Sequence, residues 1–293
     1  MTSENLSKKR WNNILILGNG YIGGYVHRHM EGSQLIGSGD LDYHNIQVLG
    51  RYILNNAIST VINCSGFTGR PNVDEGEIKK EECWRLNVVS PLRINELCNA
   101  LGIKYIHISS GCIYSGYEKE FVEEDKPNFG LFDYSSFYSK SKHAFELMSA
   151  HLNNKILRIR MPISPDTSSR NFLIKIKNYD NLISEKNSKT YIPDLCKFIE
   201  NLLEVKTASF WSGKQDVYNV VNPNPLTTKE MVARMVKKKY FNERWTFVDI
   251  SKLNIVAPRS NCVLNGDKAS KIYQLRNEID ILEESLNKIV CAV

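Results

Sequence analysis

A turn constrains this chain more than any other feature. Ile14-Leu15-Ile16-Leu17, a short unbroken apolar run, leads directly into Gly18-Asn19-Gly20-Tyr21-Ile22-Gly23-Gly24. Four consecutive apolar residues bounded by polar ones and then glycine read as a strand buried on both faces, the kind found in parallel sheets. The spacing Gly-x-Gly-x-x-Gly between a strand and a helix has a physical meaning. Gly18 permits the tight turn, Gly20 lets the backbone approach a pyrophosphate, and Gly23 lets the helix pack on the sheet. The helix expected over residues 22–31 offers free amides and partial positive charge at its start. Tyr21 and Ile22, at that start, join the three glycines as candidate dinucleotide contacts.

The rest of the first half alternates. Gln34-Leu35-Ile36, Thr60-Val61-Ile62-Asn63, Tyr105-Ile106-His107-Ile108 and Ile156-Leu157-Arg158-Ile159 read as strands. Helices are expected between them over residues 46–56, 77–101 and 135–148, the second long and amphipathic. This alternation predicts an α/β fold, a Rossmann-type doubly wound parallel sheet covered on both faces. Ligands of such sheets bind at the carboxyl ends of the strands. Residues 18–24, 64–68, 109–114 and 161–165 fall there and should meet, which adds Cys64, Ser65, Gly66, Met161 and Ile163 to the candidate cofactor contacts. Beyond Pro165 the pattern breaks into a strand at 217–221 and helices at 228–238 and 279–290. A smaller C-terminal substrate-binding lobe is expected, dividing the chain into 1–165 and 166–293, with about 190–222 returning to the first domain.

Composition narrows the classes. At 42% apolar and 24% charged residues the chain reads as an ordinary soluble globular protein. Its net charge of +6 is too modest and too scattered for a nucleic-acid face, and Lys8-Lys9 and residues 237–239 read as solvated tips. A mild positive balance suits a substrate bearing phosphates. The seven cysteines contain no Cys-x-x-Cys pair, so no metal site or disulfide framework is expected, and a reducing compartment follows. Residues 1–10 lack an apolar signal core and no apolar stretch is long enough to span a bilayer, which reads as a cytoplasmic protein without membrane contact.

The chemistry concentrates in Tyr138-Ser139-Lys140-Ser141-Lys142. On a helix, residues four apart share a face. A nearby cation favours the phenolate, so Tyr138 is expected to titrate closer to neutrality and to exchange a proton with an alcohol or ketone. Ser110, at the end of the run before it, would hold the substrate oxygen, while Lys142 would also grip the nicotinamide ribose. Taken singly, Ser110 reads as a strand-end hydrogen bonder and Lys142 as a solvated lysine; their joint occurrence with the glycine turn makes the case. The second strand ends in Ile36-Gly37-Ser38-Gly39 with no acidic residue at its immediate tip, which leaves room for a 2′-phosphate near Ser38 or Arg28. Asp40 and Leu41 then lie beside the adenine. NADP(H) is favoured, and NAD(H) stays open because Asp40 lies about twenty residues past Gly20.

With these residues on the page, the chain resembles the extended short-chain dehydrogenases, and within them the nucleotide-rhamnose synthase branch. That branch comprises bifunctional 3,5-epimerase/4-reductases acting on UDP-4-keto-6-deoxyglucose, relatives of the dTDP-4-dehydrorhamnose reductases. The resemblance runs from Ile14 to about Val290. Its marks are Gly66-Phe67-Thr68-Gly69-Arg70-Pro71-Asn72-Val73-Asp74, Ser110-Gly111-Cys112-Ile113-Tyr114, Phe137 to Lys142, Arg158 to Ser164, Arg170-Asn171-Phe172 and Val256-Ala257-Pro258-Arg259-Ser260-Asn261. Two departures stand out. The family turn usually has two residues between its first glycines, where this chain has only Asn19, and threonine is common where this chain has Ser110.

The resemblance implies residue roles. Cys112 and Lys175 match the family's epimerisation pair. A C4 ketone acidifies the protons at C3 and C5, so a thiolate can remove each and an acid on the opposite face can return one. From the residues alone, Cys112 reads equally as a buried filler and Lys175 as a surface lysine. Thr68, Arg70, Asn72, Asp74, Asn87, Asn171, Phe172 and Asn261 match the lining of the sugar-nucleotide pocket, and Arg259 matches a partner for the substrate pyrophosphate. Asn87 also matches a structural or water-holding asparagine. Gly111 stands where a 4,6-dehydratase carries an aspartate, so a separate dehydratase should supply the ketone. The implied substrate is a UDP- or dTDP-linked 4-keto-6-deoxyhexose and the implied assembly a homodimer through residues 77–101 and 135–148. Two rival readings are a dTDP-4-dehydrorhamnose reductase without epimerase activity and a non-catalytic cofactor-binding regulatory subunit.

Overall fold

The computed structural model describes residues 10–240 and 245–291, so Lys8-Lys9 lies outside the described residues. The first half runs β1 (Ile14–Leu17), α1 (Tyr21–His29), β2 (Gln34–Ile36), α2 (Ile46–Asn55), β3 (Thr60–Asn63), α3 (Glu75–Ile78), α4 (Lys80–Trp84), a π-helical turn (Arg85–Val89) and α5 (Ser90–Ala100). It continues through β4 (Lys104–Ser110), β5 (Gly116–Phe121), α6 (Phe137–Met148) and β6 (Lys155–Ile159). The remainder is α7 (Phe172–Lys175), β7 (Asn181–Leu182), α8 (Ile192–Glu204), β8 (Asp216–Asn219), α9 (Thr228–Lys237), β9 (Thr246–Phe247), β10 (Cys262–Leu264), α10 (Asp267–Ser270) and α11 (Glu278–Cys291). No helix among the described residues is long and apolar enough to cross a membrane.

Six strands form one parallel sheet in the order β2-β1-β3-β4-β6-β8, the doubly wound, Rossmann-like architecture expected from the alternation. Alternate residues of each strand feed opposite cores. Ile14, Ile16, Ile62, Ile106, Ile108, Leu157 and Ile159 pack with Val26 and Met30 and with Leu195, Phe198, Ile199 and Leu202 of α8. Leu15, Leu17, Val61, Tyr105 and Ile156 pack the other way, with Leu49, Ile53, Ile94, Cys98 and Phe145. Burying each such side chain contributes about 1.5–3 kcal/mol, and the polar residues that interrupt these runs, such as Arg158, are buried with partners. The order reverses between β1 and β3, and it is outside the carboxyl ends at such a switch point that ligands of these sheets bind.

The helix expected over 77–101 is instead a chain of segments. Lys79 leaves helical geometry (φ −100°, ψ 53°) between α3 and α4, and a π-helical turn widens the backbone before Pro91. A separate core of Leu173, Ile176, Leu182, Met231, Met235, Trp245, Ile281, Leu286 and Ile289 holds the later segments together. The parallel pair β5 and β10 buries Ile113, Tyr114, Phe121, Cys262 and Leu264 beside the turn that leaves β4.

Candidate active site

The glycine turn is built as a cradle. Gly18 adopts φ +94°, and a Cβ there would stand 2.9 Å from Ser65 Cα, so β1 and β3 approach more closely than any side chain allows. A Cβ on Gly23 would meet Gly18 O at 1.9 Å, which fixes glycine where α1 packs on the turn. Gly20 caps α1, and a Cβ there meets nothing within 4 Å. The helix N-terminus therefore faces open space across a side-chain-free surface, a fit to a pyrophosphate. The single residue between the first two glycines is compatible with this geometry. Beyond it, the Tyr21 hydroxyl pairs with Ser164 Oγ at 2.5 Å, tying α1 to the loop after β6. On that loop Met161 takes a left-handed φ of +35°, and Ile163 is buried. Ser65 donates to Asn63 Oδ1 at 2.6 Å beside the half-buried Cys64.

At the tip of β2, Ser38 and Asp40 are exposed and Leu41 is half-buried. Asp40 Oδ2 accepts from the Gly37 amide at 2.8 Å, so the carboxylate is drawn back onto its own turn. Arg28 lies over the Tyr25 ring at 4.9 Å.

The reaction centre starts at the cap of α6. Ser136 Oγ accepts from the Ser139 amide at 3.1 Å, and Glu77 Oε1 accepts from the Phe137 amide at 2.6 Å. Tyr138 falls in the first turn and Lys142 one turn later, both buried, with Nζ 5.9 Å from the phenol ring centroid. Gly66 makes room for the lysine, since a Cβ there would lie 3.3 Å from Nζ and 2.9 Å from Asn87 Oδ1. Burial pushes Lys142 down to about 8 against weaker opposing fields, Cys83 first among them and then Glu146. Burial and then Cys112 push Tyr138 up, while the Ser110 hydroxyl, bonded to the phenol, favours its ionised form. The direction is opposite to that read from the sequence, because desolvation of the phenolate outweighs the neighbouring charges. The result is a phenol held protonated, the form that donates.

Cys112 follows on the same turn. Its amide donates to Ser110 Oγ at 3.2 Å, and Arg160 Nη1 reaches its sulfur at 3.7 Å. Arg160 lies within the Arg158 to Ser164 stretch that carries the resemblance, but the sequence gives it no role; it is buried two residues past Arg158. Lys175 stands at the end of α7; burial and then Arg170 push it down, and Arg170 in turn donates to Gly69 O at 3.0 Å.

The remaining candidates divide. Thr68 and Arg70 are exposed on the loop after β3, and Asn72 Oδ1 accepts from the Asp74 amide at 2.8 Å. Asp74 pairs with Arg259 through two bonds, 2.7 and 3.1 Å, and also accepts from the Ala257 amide at 2.9 Å. Two residues expected to face substrate thus clasp each other across the cleft. Asn261 accepts from Asn187 Nδ2 at 2.9 Å, and Phe172 is half-buried. Two of the expected lining residues are held by groups of the chain itself. Asn87 is fully buried, accepting from Phe67 N at 2.8 Å and donating to Phe67 O at 2.9 Å and Ser141 Oγ at 3.0 Å. Asn171 caps α7 and donates to Ser164 O and Asp166 O at 2.7 and 2.8 Å. Both side-chain amides are thus engaged within the chain, Asn87 in the structural role the resemblance also allows.

Comparison with known proteins adds an independent line. A family model described as RmlD substrate binding domain matches residues 12–289. A bifunctional dTDP-4-dehydrorhamnose 3,5-epimerase/dTDP-4-dehydrorhamnose reductase of Arabidopsis thaliana is 34% identical, over 95% of this chain and 92% of its own length. A UDP-rhamnose synthase from Acanthamoeba polyphaga mimivirus has a similar structure, with TM-score 0.80, 25% identity, 94% of this chain and 99% of its own covered. A dTDP-4-dehydrorhamnose reductase from Bacillus anthracis, solved with NADP, superposes with TM-score 0.77 at 18% identity, over 96% and 99% of the two chains, a likeness of fold.

Proposed function

We propose a function from one premise: this chain belongs to the RmlD substrate binding domain family. In our reading it is an NADPH-dependent enzyme that inverts C3 and C5 of UDP-4-keto-6-deoxyglucose and then reduces C4, giving UDP-L-rhamnose. The observation that carries this reading is that Ser110 and Cys112 share one turn, the Cys112 amide donating to Ser110 Oγ at 3.2 Å, and that Tyr138 and Lys142 are both buried on α6 with Nζ 5.9 Å from the phenol ring. A hydroxyl, a thiol and a proton donor around one small space suit a ketone whose neighbouring carbons are also to be deprotonated. The nicotinamide, when bound, supplies the hydride for C4. Ser110 holds the C4 oxygen, Tyr138 gives it the phenolic proton, and Lys142 stabilises the tyrosinate that remains. The Asp40 carboxylate, folded onto the Gly37 amide, leaves Ser38 open to a 2′-phosphate and favours NADP(H), with NAD(H) the alternative.

A dehydratase role does not suit the site. A Cβ on Gly111 would lie 2.4 Å from Leu264 Cδ1 and 3.0 Å from Arg160 Cγ, so an aspartate there would have to displace both side chains. The ketone therefore comes from a separate 4,6-dehydratase. We further propose a cytoplasmic homodimer joined through α3–α5 and α6, where Val89, Leu147 and Met148 are exposed. The test is incubation of UDP- and dTDP-linked ketosugars in deuterated water with either nicotinamide. Deuterium at both C3 and C5 with loss of NADPH absorbance is expected. Cys112→Ala should abolish the uptake and still reduce pre-epimerised ketone, and Tyr138→Phe should lower reduction about 100-fold or more. Reduction without uptake in the native enzyme would leave a reductase alone, and reduction unchanged in Tyr138→Phe would remove the proton donor.

A further inference from the structure

Arg160 follows β6, is buried, and keeps its charge at any pH the fold survives. Buried charges are ordinarily matched. Two other buried cations obey that rule, Arg158 on Glu146 and Lys189 on Glu278, each at 2.7 Å. Among the described residues no carboxylate forms an ion pair with Arg160. Its partners are neutral: Gly111 O at 3.1 Å, Ser260 Oγ at 2.9 Å, Ser260 O at 3.1 Å and Asn187 Oδ1 at 2.5 Å. Its Nε is buried without a partner. Two sulfurs feel the guanidinium, Cys262 and Cys112. Cys262 is fully buried, its thiol is pushed up by burial, and its sulfur turns to Gly111 O at 3.9 Å. Cys112 is half-buried and lies 3.7 Å from Nη1.

We propose that Arg160 is a positioning residue that aims the Cys112 sulfur into the cleft and supplies the fixed positive charge against which it works as a base. This rests on the epimerase half of the function proposed above. In each epimerisation the Cys112 thiolate takes the proton from the carbon beside the C4 ketone and becomes a thiol. The C–H electron pair passes to the C4 oxygen as an enolate. The Lys175 ammonium protonates the carbon from the opposite face and becomes an amine; the thiol then releases a proton to solvent and the amine regains one. Arg160 changes protonation in none of these steps. The other titratable groups bearing on the sulfur are Tyr138 and Lys142 on α6 and Cys262 on β10, while Tyr117 on β5 bears on the guanidinium.

The test compares the full chain with Arg160→Met and Arg160→Lys. Alkylation of Cys112 by iodoacetamide is followed peptide by peptide, alongside deuterium uptake and reduction of pre-epimerised ketone. In Arg160→Met, alkylation at neutral pH and uptake should each fall about tenfold or more, a loss of one charge-assisted contact. Uptake should fall further than reduction, its pH profile should move upward, and Arg160→Lys should recover part of both. A folded Arg160→Met that alkylates and exchanges like the native protein overturns the proposal. If that variant does not fold, an unchanged alkylation rate in Arg160→Lys overturns it. Absence of uptake in the native enzyme instead defeats the epimerase reading, and alkylation still decides whether Arg160 holds Cys112.

Discussion

Replacing Asn87 by leucine keeps the branching and heavy-atom count of a buried side chain and removes its hydrogen bonds. The structure sets the cost. Asn87 pairs with both the amide and the carbonyl of Phe67, which is itself buried, and also donates to Ser141 Oγ. Leucine leaves two backbone groups unpaired away from water, at about 1–3 kcal/mol each, so Asn87→Leu should lose roughly 2–5 kcal/mol. For a chain of this size that lowers Tm by roughly 3–8 °C. The effect should reach function through a specific route. Asn87 fixes the loop that carries Gly66, and Gly66 gives Lys142 its space, so cofactor affinity should fall about tenfold while the KM for the sugar nucleotide moves little. Scanning calorimetry of the ligand-free protein, with NADPH titration and sugar kinetics, makes the comparison. A Tm unchanged within experimental error together with a selective rise in the sugar KM refutes the reasoning, because it makes Asn87 a substrate contact after all.

Two further outcomes follow from buried charge. Lys142 has a folded value of about 8, below the ordinary 10.5, so the fold is penalised while both states bind the proton and relieved as pH rises from about 8 to 10.5. Lys142→Met should therefore stabilise the ligand-free protein by on the order of 3 kcal/mol at neutral pH, with the advantage gone by pH 10.5, and urea melts across that range check it. Reductase activity should decline above about pH 8 as the same lysine loses its charge, and a flat profile there argues against its role. Glu146 accepts from Arg158 at 2.7 and 3.0 Å and from Ser109 Oγ at 2.6 Å, all buried. Glu146→Leu should cost about 3–5 kcal/mol, and the double variant with Arg158→Met should recover most of it in the same urea melts.

The sheet was legible because strands covered on both faces leave short apolar runs, four residues in Ile14 to Leu17 and the pair Val61-Ile62 in β3. β5 was not, since Tyr-Glu-Lys-Glu within it is exposed and only Phe121 is buried. α8 carried a readable pattern in Ile192, Leu195, Cys196, Ile199 and Leu202, but Pro193 reads as a breaker unless it is placed in the first turn, where its missing amide costs nothing. At the site, the cradle and the tyrosine-lysine pair follow from local spacing. The role of Asn87 does not, because its backbone partner lies twenty residues away. The role of Arg160 was not legible either, because a cation just past a strand reads as surface until its neighbours are known. The direction of the Tyr138 shift depends on burial, which no local spacing encodes.

The two unmatched cations explain how one cleft could serve two chemistries. Arg158 and Lys189 are neutralised by glutamates, and Lys155 by Asp216 at 3.1 Å. Lys142 and Arg160, both buried, make no such pair among the described residues, and both lie beside Tyr138, the first 5.9 Å from its ring and the second acting on its phenol. On the proposed reading, epimerisation and reduction develop negative charge at the same atom, the C4 oxygen, first as an enolate and then as an alkoxide. Fixed positive charge in a water-poor site stabilises both without reorganising between them. Lys142 eases its own burial by titrating near 8, but a guanidinium has no such escape. Arg160 therefore holds an excess positive charge in the ligand-free protein, and anions entering this cleft should tighten the fold that receives them.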